Sequence, residues 1–331
     1  MSIRLRRRDF IAALGGAATW PVGVRAQQAA LPIVAFVSGR SPDDSSRPGA
    51  AFRKGLNAGG AIEGQNATVE YHWLDGRYDQ LPSLMADLVR RRVAVIATPG
   101  SAPASIAAKA ATTGIPIVFG VADDPVSLGL VTSLARPGGN ATGINFLSVE
   151  VVGKRLGLLH QLVPKAVKVA VLVNPANASN AESTLRDVPE AARALGLQVQ
   201  IFKATSIHEI DDAFARLVHE QADVLLPAAD AFFGSRRVQL ATLAARYLIP
   251  TASVDRDFVA AGGLMSYGTD AEEMYRQVGD YTGKILRGAK PAELPVMQAV
   301  KFQFVINLTT ARALAVTVPP ALIAIADEVI E

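Results

Sequence analysis

The sequence predicts an α/β protein built as two parallel-sheet lobes with a cleft between them. Three observations carry this. Short runs rich in Val and Ile alternate with longer helical patterns along most of the chain, and continuous apolar strands are the mark of a parallel sheet covered by helices on both faces. The alternation occurs in two series that look like copies. Leu88-Val89-x5-Val95-Ile96 returns as Leu217-Val218-x5-Val224-Leu225, an offset of 129, and Ala110-Ala111-x3-Ile115-Pro116 returns as Ala244-Ala245-x3-Ile249-Pro250, an offset of 134. In both copies an Ile-Pro opens a strand, where the missing N–H is tolerated, and an acid (Asp123, Asp255) lies past its end.

The first series reads as strand Ile33–Val37, helix Gly49–Ala58, strand Val69–Trp73, helix Tyr78–Arg91, strand Val93–Thr98, helix Ala102–Thr112 and strand Ile115–Val121. Strand Thr142–Phe146 then leads into a helix over Val149–Leu162. The second series is strand Val167–Val173, helix Ala181–Leu195, strand Gln198–Phe202, helix Ile207–His219, strand Val224–Pro227, helix Ser235–Tyr247 and strand Ile249–Val254. Past it come a strand over Gly262–Tyr267 and a helix over Asp270–Leu286, with Asp270 as its N-cap and Gly288 closing it. A linker bracketed by Pro291 and Pro295 leads to strand Phe302–Asn307. Pro319-Pro320 opens a last helix, Ala321–Ile330.

Residues 1–26 read as an export signal. Arg4, Arg6, Arg7 and Arg8 precede an apolar run from Ala12 to about Val24, and Val24-Arg25-Ala26 offers small residues for cleavage near Ala26. That run is shorter than the ~20 residues a membrane-spanning helix needs. Arg7-Arg8-Asp9-Phe10-Ile11 is similar to a twin-arginine core. The leader holds five Arg and one Asp, so the remainder carries 28 Lys plus Arg against 29 Asp plus Glu, a net charge of −1. The basic pI of about 9.2 thus belongs to the leader, and no basic footprint speaks for nucleic acid. With no Cys, disulfides, thiol nucleophiles and thiolate metal sites are excluded.

In open α/β sheets ligands bind beyond the carboxyl ends of strands, where strand order reverses. That rule selects Ser38 and Gly39 with neighbouring Arg40, then Thr98, Gly100 and Ser101, then Gly120 to Asp123, and Asn145 on the connecting strand. In the second lobe it selects Asn174 and Asn177, Asp230, and Ser253 to Asp255. Gly100 allows close backbone approach. Ser101 either caps its own helix or shares that N-terminus with an anion such as a ligand carboxylate. Asp230 either enters its helix as an ordinary cap or serves as counter-charge for an ammonium group. Asn174 and Asn177 supply amide contacts or a simple Asn-Pro turn. Pro137-Gly138-Gly139-Asn140 lacks the strand-to-helix setting of a nucleotide loop. His72, His160, His208 and His219 are scattered, and no H-E-x-x-H or G-x-S-x-G pattern occurs.

Ile115-Pro116-Ile117-Val118-Phe119, Asp124-Pro125-Val126-x2-Gly129-Leu130-Val131-x-Ser133-Leu134 and Pro137-Gly138-Gly139-Asn140-x-Thr142-Gly143 form one string of signatures. Ile306-Asn307-Leu308-x2-Ala311 and Pro319-Pro320-x-Leu322 through Ala326-Asp327-Glu328 form another. Through them, over residues 31–330, the chain resembles the solute-binding proteins of ABC transporters, and in particular the branch with tryptophan and other aromatic-amino-acid binders. The resemblance implies a type I periplasmic-binding fold: two Rossmann-like lobes joined by a hinge of three crossing segments. Lobe 1 would hold residues 31–145 plus about 268–291, and lobe 2 about 146–267 plus 292–331. It implies that Gly100 and Ser101 meet a ligand carboxylate, with Ser38, Asp230 and Gly120–Asp123 near the ligand.

The expected function is the periplasmic solute-binding component of an ABC importer. It would capture an amino acid or another carboxylate and deliver it to permease and ATPase subunits in the inner membrane. It would act as a monomer, without cofactor, metal or catalysis. A ligand sensor for a membrane receptor and an exported enzyme on two Rossmann-like lobes are the alternatives the same pattern allows.

Overall fold

The computed structural model describes residues 30–44, 46–146, 151–299 and 301–331; the expected leader lies outside the described residues. In the first half, β1 (Ile33–Ser38), α1 (Ser46–Ala58), β2 (Thr68–Trp73), α2 (Leu81–Arg91), β3 (Val95–Pro99), α3 (Ala102–Ala111), β4 (Ile117–Val121) and β5 (Ala141–Asn145) follow in order. Their strands pair in parallel, and a short β11 (Met297–Gln298) returns from far along the chain to pair with β5. The spatial order is β11-β5-β4-β3-β1-β2.

The apolar runs are continuous because both sheet faces are covered. On β1, Val34 and Phe36 join one core with Phe52 and Leu56 of α1. Ala35 and Val37 join the other with Met85, Leu88 and Ala108 of α2 and α3. Burial of both side-chain sets removes the polar alternation that a one-sided sheet would show.

The second half runs α4 (Val152–Leu162), β6 (Lys168–Val173), α5 (Ala178–Ala194), β7 (Gln198–Lys203), α6 (Ile207–His219), β8 (Val224–Pro227), α7 (Ala231–Ser235), α8 (Arg237–Arg246), β9 (Ala252–Ser253), α9 (Arg256–Ala260) and β10 (Met265–Thr269). Strands β7-β6-β8 form one parallel group. A bridge between Leu225 and Thr251 connects it to the group β13-β12-β10-β9, where β12 is Phe302–Asn307 and β13 is Glu328–Ile330. Among the described strands of this half, only the β10–β12 pair is antiparallel. On β6, Val169, Val171 and Val173 face the core under α4 and α5, and Ala170 and Leu172 face the core under α6 and α8.

Helix α10 (Ala271–Leu286) follows β10 in sequence but packs on α1 in the first half. Four glycines explain how closely. A Cβ at Gly55 would lie 1.8 Å from the Arg276 carbonyl oxygen, and one at Gly59 2.4 Å from that of Asp280. Reciprocally, a Cβ at Gly279 would meet the Phe52 oxygen at 2.1 Å and one at Gly283 the Leu56 oxygen at 2.6 Å. The two Gly-x3-Gly faces let the backbones touch, so this tail helix is fixed to the first sheet. The chain therefore passes between the halves after Asn145, near Asp270, and between Gln298 and Phe302.

The element boundaries differ from the sequence reading in a few places. The expected helix Ser235–Tyr247 begins earlier and breaks at Arg236, because Asp230 caps a separate short helix, α7. Beyond α11 (Leu308–Ala313), the last helix, α12 (Pro320–Ile325), stops before Ala326. Residues 328–330 instead extend as β13 in parallel beside Val305–Asn307. Residues 292–299 stay with the first sheet through β11 instead of opening the second half. Asp270 does cap α10, accepting from Glu273 N–H at 3.1 Å, and Gly288 follows the helix with φ +99°.

Candidate functional site

Strand order reverses at β1 in the first sheet, which sits between β3 and β2, and at β6 in the second, which sits between β8 and β7. The carboxyl ends of these strands face each other, and the cleft forms there. A cavity of about 90 Å³ lies in it, room for several waters at roughly 10–15 Å³ for the first. Both halves line it. Gly100, Arg40, Met274 and Tyr275 come from the first-half side, and Asp230, Phe233, Leu240, Asp255 and Phe258 from the second. Phe146, at the first crossing, also reaches it.

Asp230 is the most thoroughly built residue of the cleft. Its Oδ1 accepts from Asn174 Nδ2 at 2.9 Å and from the Phe232 N–H at 3.0 Å. Its Oδ2 accepts from Asn177 Nδ2 at 2.8 Å and from the Tyr78 hydroxyl, across the cleft, at 3.5 Å. A carboxylate offers about four acceptor positions, so this one is fully supplied, with its longest bond on the side facing the first half. Burial raises the Asp230 pKa above its ordinary 3.8, while the Asn174 and Asn177 amides and the N–H groups of Phe232 and Phe233 oppose the rise. Both expected roles thus coincide: Asp230 caps α7 and presents a buried negative charge to the cavity.

The positive charge comes from Arg40. Its side chain is 9% exposed and its Nη2 lies 3.5 Å from Asp255 Oδ2 across the cleft. Burial opposes its charge, but Tyr275, Asp255 and Asp257 together raise its pKa. Burial raises the pKa of the Tyr275 hydroxyl, and neighbouring Arg40 and Ser38 oppose the rise. That phenol lies against Gly100, where a Cβ would come within 3.1 Å of its oxygen and where φ is +73°. Gly39 is equally constrained: a Cβ there would be 2.6 Å from the Tyr78 hydroxyl and 3.1 Å from Cβ of Ala231 in the other half. Gly120 makes room for Met274, whose sulfur would lie 2.6 Å from an added Cβ.

Of the sequence-selected residues, Arg40, Gly100, Asp230, Ser253, Val254 and Asp255 line the cavity. Ser38, Gly39, Gly120, Asn174 and Asn177 shape or support that lining through the contacts above. Ser101 caps α3, accepting from Ala104 N–H at 3.3 Å, and is 1% exposed. Thr98 bonds the Ser105 hydroxyl at 2.8 Å. The Asn145 amide donates to the carbonyls of Val121, Ala122 and Asp123 at 3.2, 3.2 and 2.9 Å. Thr98, Ser101, Asn145 and Asp123 are absent from the cavity wall. Tyr78, Tyr275 and the apolar wall are not among the residues the sequence selects. Tyr275 arrives on a helix that only tertiary packing brings to the first sheet.

Further links span the cleft. The Ser41 N–H donates to Ser235 Oγ at 2.9 Å, Arg236 pairs with Asp75, and Arg47 Nη1 lies 3.4 Å from Asp257. Among the described residues no group of three or more His, Asp or Glu side chains could hold a metal ion. No described helix is long and apolar enough to cross a membrane.

Comparison with known proteins places this geometry. A curated relative, a tyrosine-binding protein of Clostridioides difficile (strain R20291), is 28% identical over 264 residues, covering 80% of this chain and 75% of its own. A solved conserved domain protein from Vibrio cholerae shares 28% identity at a TM-score of 0.82, covering 90% of this chain and 99% of its own. An ABC domain in complex with L-Trp from Streptococcus pneumonia superposes at 0.81 with 22% identity, over 91% of this chain and all of its own. A ligand-free, open substrate-binding protein with adhesive properties from Clostridium difficile superposes at 0.61 with 24% identity, over 88% of this chain and 97% of its own. Periplasmic binding proteins recur among more distant neighbours, in keeping with the expected type I periplasmic-binding fold. Residues 30–330 match the family described as ABC transporter substrate binding protein, and the chain belongs to that family.

Proposed function

We propose that this protein captures an α-amino acid with an aromatic side chain between its two halves and delivers it to the permease of an ABC importer. The observation that carries the proposal is the cavity's charge pattern. Arg40 and Arg237 face Asp230 and Asp255 around a wall that includes Phe146, Phe233, Phe258 and Tyr275. Two cations balanced by two carboxylates suit a zwitterion. Asp230 would take the ammonium, with the Tyr78 hydroxyl as the bond it displaces. Arg40, Tyr275 and the Gly100 backbone would take the carboxylate, and the aromatic wall the side chain.

The names of relatives support the same class: one is a tyrosine-binding protein and one was solved with L-Trp. The backbone also superposes better on the L-Trp complex (0.81) than on the open, ligand-free relative (0.61), at similar identity. That agrees with a closed arrangement in which both halves touch the ligand, so that binding shifts the population toward closure. No chemical step is required of any residue. The site of action is the periplasm, after removal of the leader near Ala26.

The test is a thermal-shift screen of the chain from residue 27 against the amino acids and a panel of sugars. A specific ligand raises apparent stability by mass action, roughly 2.7 kcal/mol at a hundredfold excess over Kd. Stabilisation by L-tryptophan, L-tyrosine or L-phenylalanine is the expected result. Stabilisation by a sugar alone would overturn the proposal.

A further inference from the structure

At the edge of the cleft, outside the wall of the cavity, Asp123 follows β4 and accepts two hydroxyls from the other half. Ser183 Oγ donates to Oδ1 at 2.9 Å and Ser179 Oγ to Oδ2 at 3.2 Å. Both serines belong to the first turns of α5. The acid is held in place by Asn145, whose amide bonds three successive carbonyls ending at Asp123 itself. Asn145 is the last residue of β5, where the chain leaves for the second half. On the far side, Ser179 Oγ also lies 3.3 Å from Asn177 Oδ1, and Asn177 is one of the donors to Asp230.

We infer that Asp123, Ser179 and Ser183 form a closure latch that sets ligand affinity and release without touching the ligand. Opening the cleft separates the acid from the serines and returns it to water, while Ser183 keeps the Ser179 and Asn180 carbonyls at 3.0 and 3.1 Å and Ser179 keeps Asn177 Oδ1 at 3.3 Å. The bonds exist only in the closed form, so they bias the closed population. Apparent affinity is the intrinsic affinity scaled by the fraction that is closed, so a weaker latch lowers affinity mainly by speeding release. Asp123 is well suited to this. Burial raises its pKa, and the Ser183 and Ser179 hydroxyls oppose that rise; the acid therefore depends on those two donors when the cleft is shut. The short path through Ser179 and Asn177 to Asp230 aligns latch formation with the arrangement of the binding carboxylate.

The latch deepens the amino-acid reading, and only the affinity arm of its test rests on that reading. The chain has no Cys, so labels can be placed cleanly at Lys54→Cys and Lys203→Cys, one exposed site on each half. Electron-spin distances are measured in the full chain with no added solute, in the parent and in the Ser179→Ala/Ser183→Ala variant. L-tryptophan affinity and dissociation are measured in parallel. Loss of the two hydroxyls is expected to move the distances toward the open form, to weaken affinity about 5-fold or more, and to leave Tm nearly unchanged. If the parent binds no aromatic amino acid, the function proposal fails while the distance arm still decides the latch. Unchanged distances in the double-serine variant overturn the latch. A loss of affinity in Asp123→Asn that the serine pair does not reproduce also overturns it, because Asp123 would then act on the ligand directly.

Discussion

The hydroxyl of Tyr78 and Oδ2 of Asp230 meet across the cleft at 3.5 Å. Tyr78 belongs to the first half and Asp230 to the second, so this bond exists only when the two are close. It is the longest of the four bonds on Asp230, the other three being 2.8–3.0 Å and supplied from the same half. The carboxylate is thus organised by its own half and only lightly claimed by the other.

Asp230→Ala should cost both binding and stability. It leaves the Asn174 and Asn177 amides without their acceptor, and each buried unsatisfied donor costs about 1–3 kcal/mol. Asp230→Asn keeps the shape, removes the charge and sets its NH2 against two donors. Both variants should lose amino-acid binding by at least about tenfold, with the Ala variant also showing a lower urea midpoint. Wild-type affinity in calorimetry with Asp230→Asn would remove Asp230 from the ammonium role.

Binding should also fall in acid before an ordinary aspartate would titrate. The folded Asp230 pKa is raised above 3.8 by burial. Between the unfolded and folded values the folded chain binds more protons, so this group's contribution to stability is greatest at low pH and falls as pH rises through the folded value. For the ligand the sign is opposite, because an ammonium needs the ionised acid. Titrations at stepped pH should show affinity dropping at a pH above 3.8, and Asp230→Asn should flatten the dependence. A profile that stays level in the parent until the ligand's own carboxylate protonates would contradict this.

Gly279→Ala is expected to destabilise the fold although it raises helix propensity by up to about 1 kcal/mol. The new Cβ would lie 2.1 Å from the Phe52 carbonyl oxygen, and overpacking of this kind costs about 1–3 kcal/mol or more. Gly64→Ala meets nothing within 4 Å and serves as the control for a clash-free site. Its φ of +79° adds a local backbone cost only. Equal stability of Gly279→Ala and the parent in denaturant titration would refute the close-contact account of α1 and α10.

Arg155 carries a buried charge with no ion-pair partner among the described residues. The residue is 1% exposed, Nε and Nη1 have no hydrogen-bond partner among the described residues, and burial lowers its pKa to about 10. Replacing an imperfectly compensated buried charge by an apolar side chain of similar size is commonly stabilising by about 1–4 kcal/mol. Arg155→Met should therefore raise the urea midpoint. A lowered midpoint would show that the guanidinium has a structural role the contacts do not reveal.

The strands were readable in the sequence because burial on both faces writes them as unbroken apolar runs, as in Ile33–Ser38 and Lys168–Val173. The switch-point rule then led to Gly100, Asp230 and Asp255, since it depends only on strand ends. It led equally to Thr98, Ser101 and Asn145, which stand at strand ends but spend their polar groups on Ser105, on Ala104 N–H and on the carbonyls of 121–123. Which strand-end group faces the cavity is decided by side-chain direction and not by position along the chain. Tyr275 and Tyr78 were invisible for a different reason. Tyr78 reaches the cleft from the turn after β2, whose backbone bonds to Ser38, Gly39 and Arg40 hold it there, and Tyr275 from a helix whose placement depends on distant packing, on Gly55, Gly59, Gly279 and Gly283. Those two Gly-x3-Gly spacings were the one local signal for that docking.

The measurement that tests the central claim most directly is a calorimetric titration with three matched probes: L-tryptophan, N-acetyl-L-tryptophan and L-tryptophanamide. All three share the indole, and each derivative removes one charge of the zwitterion. Tight binding of L-tryptophan, with losses of about a hundredfold for both derivatives, is the expected result for a cleft that uses Asp230 for the ammonium and Arg40 for the carboxylate. Binding of either derivative as tightly as L-tryptophan would contradict it.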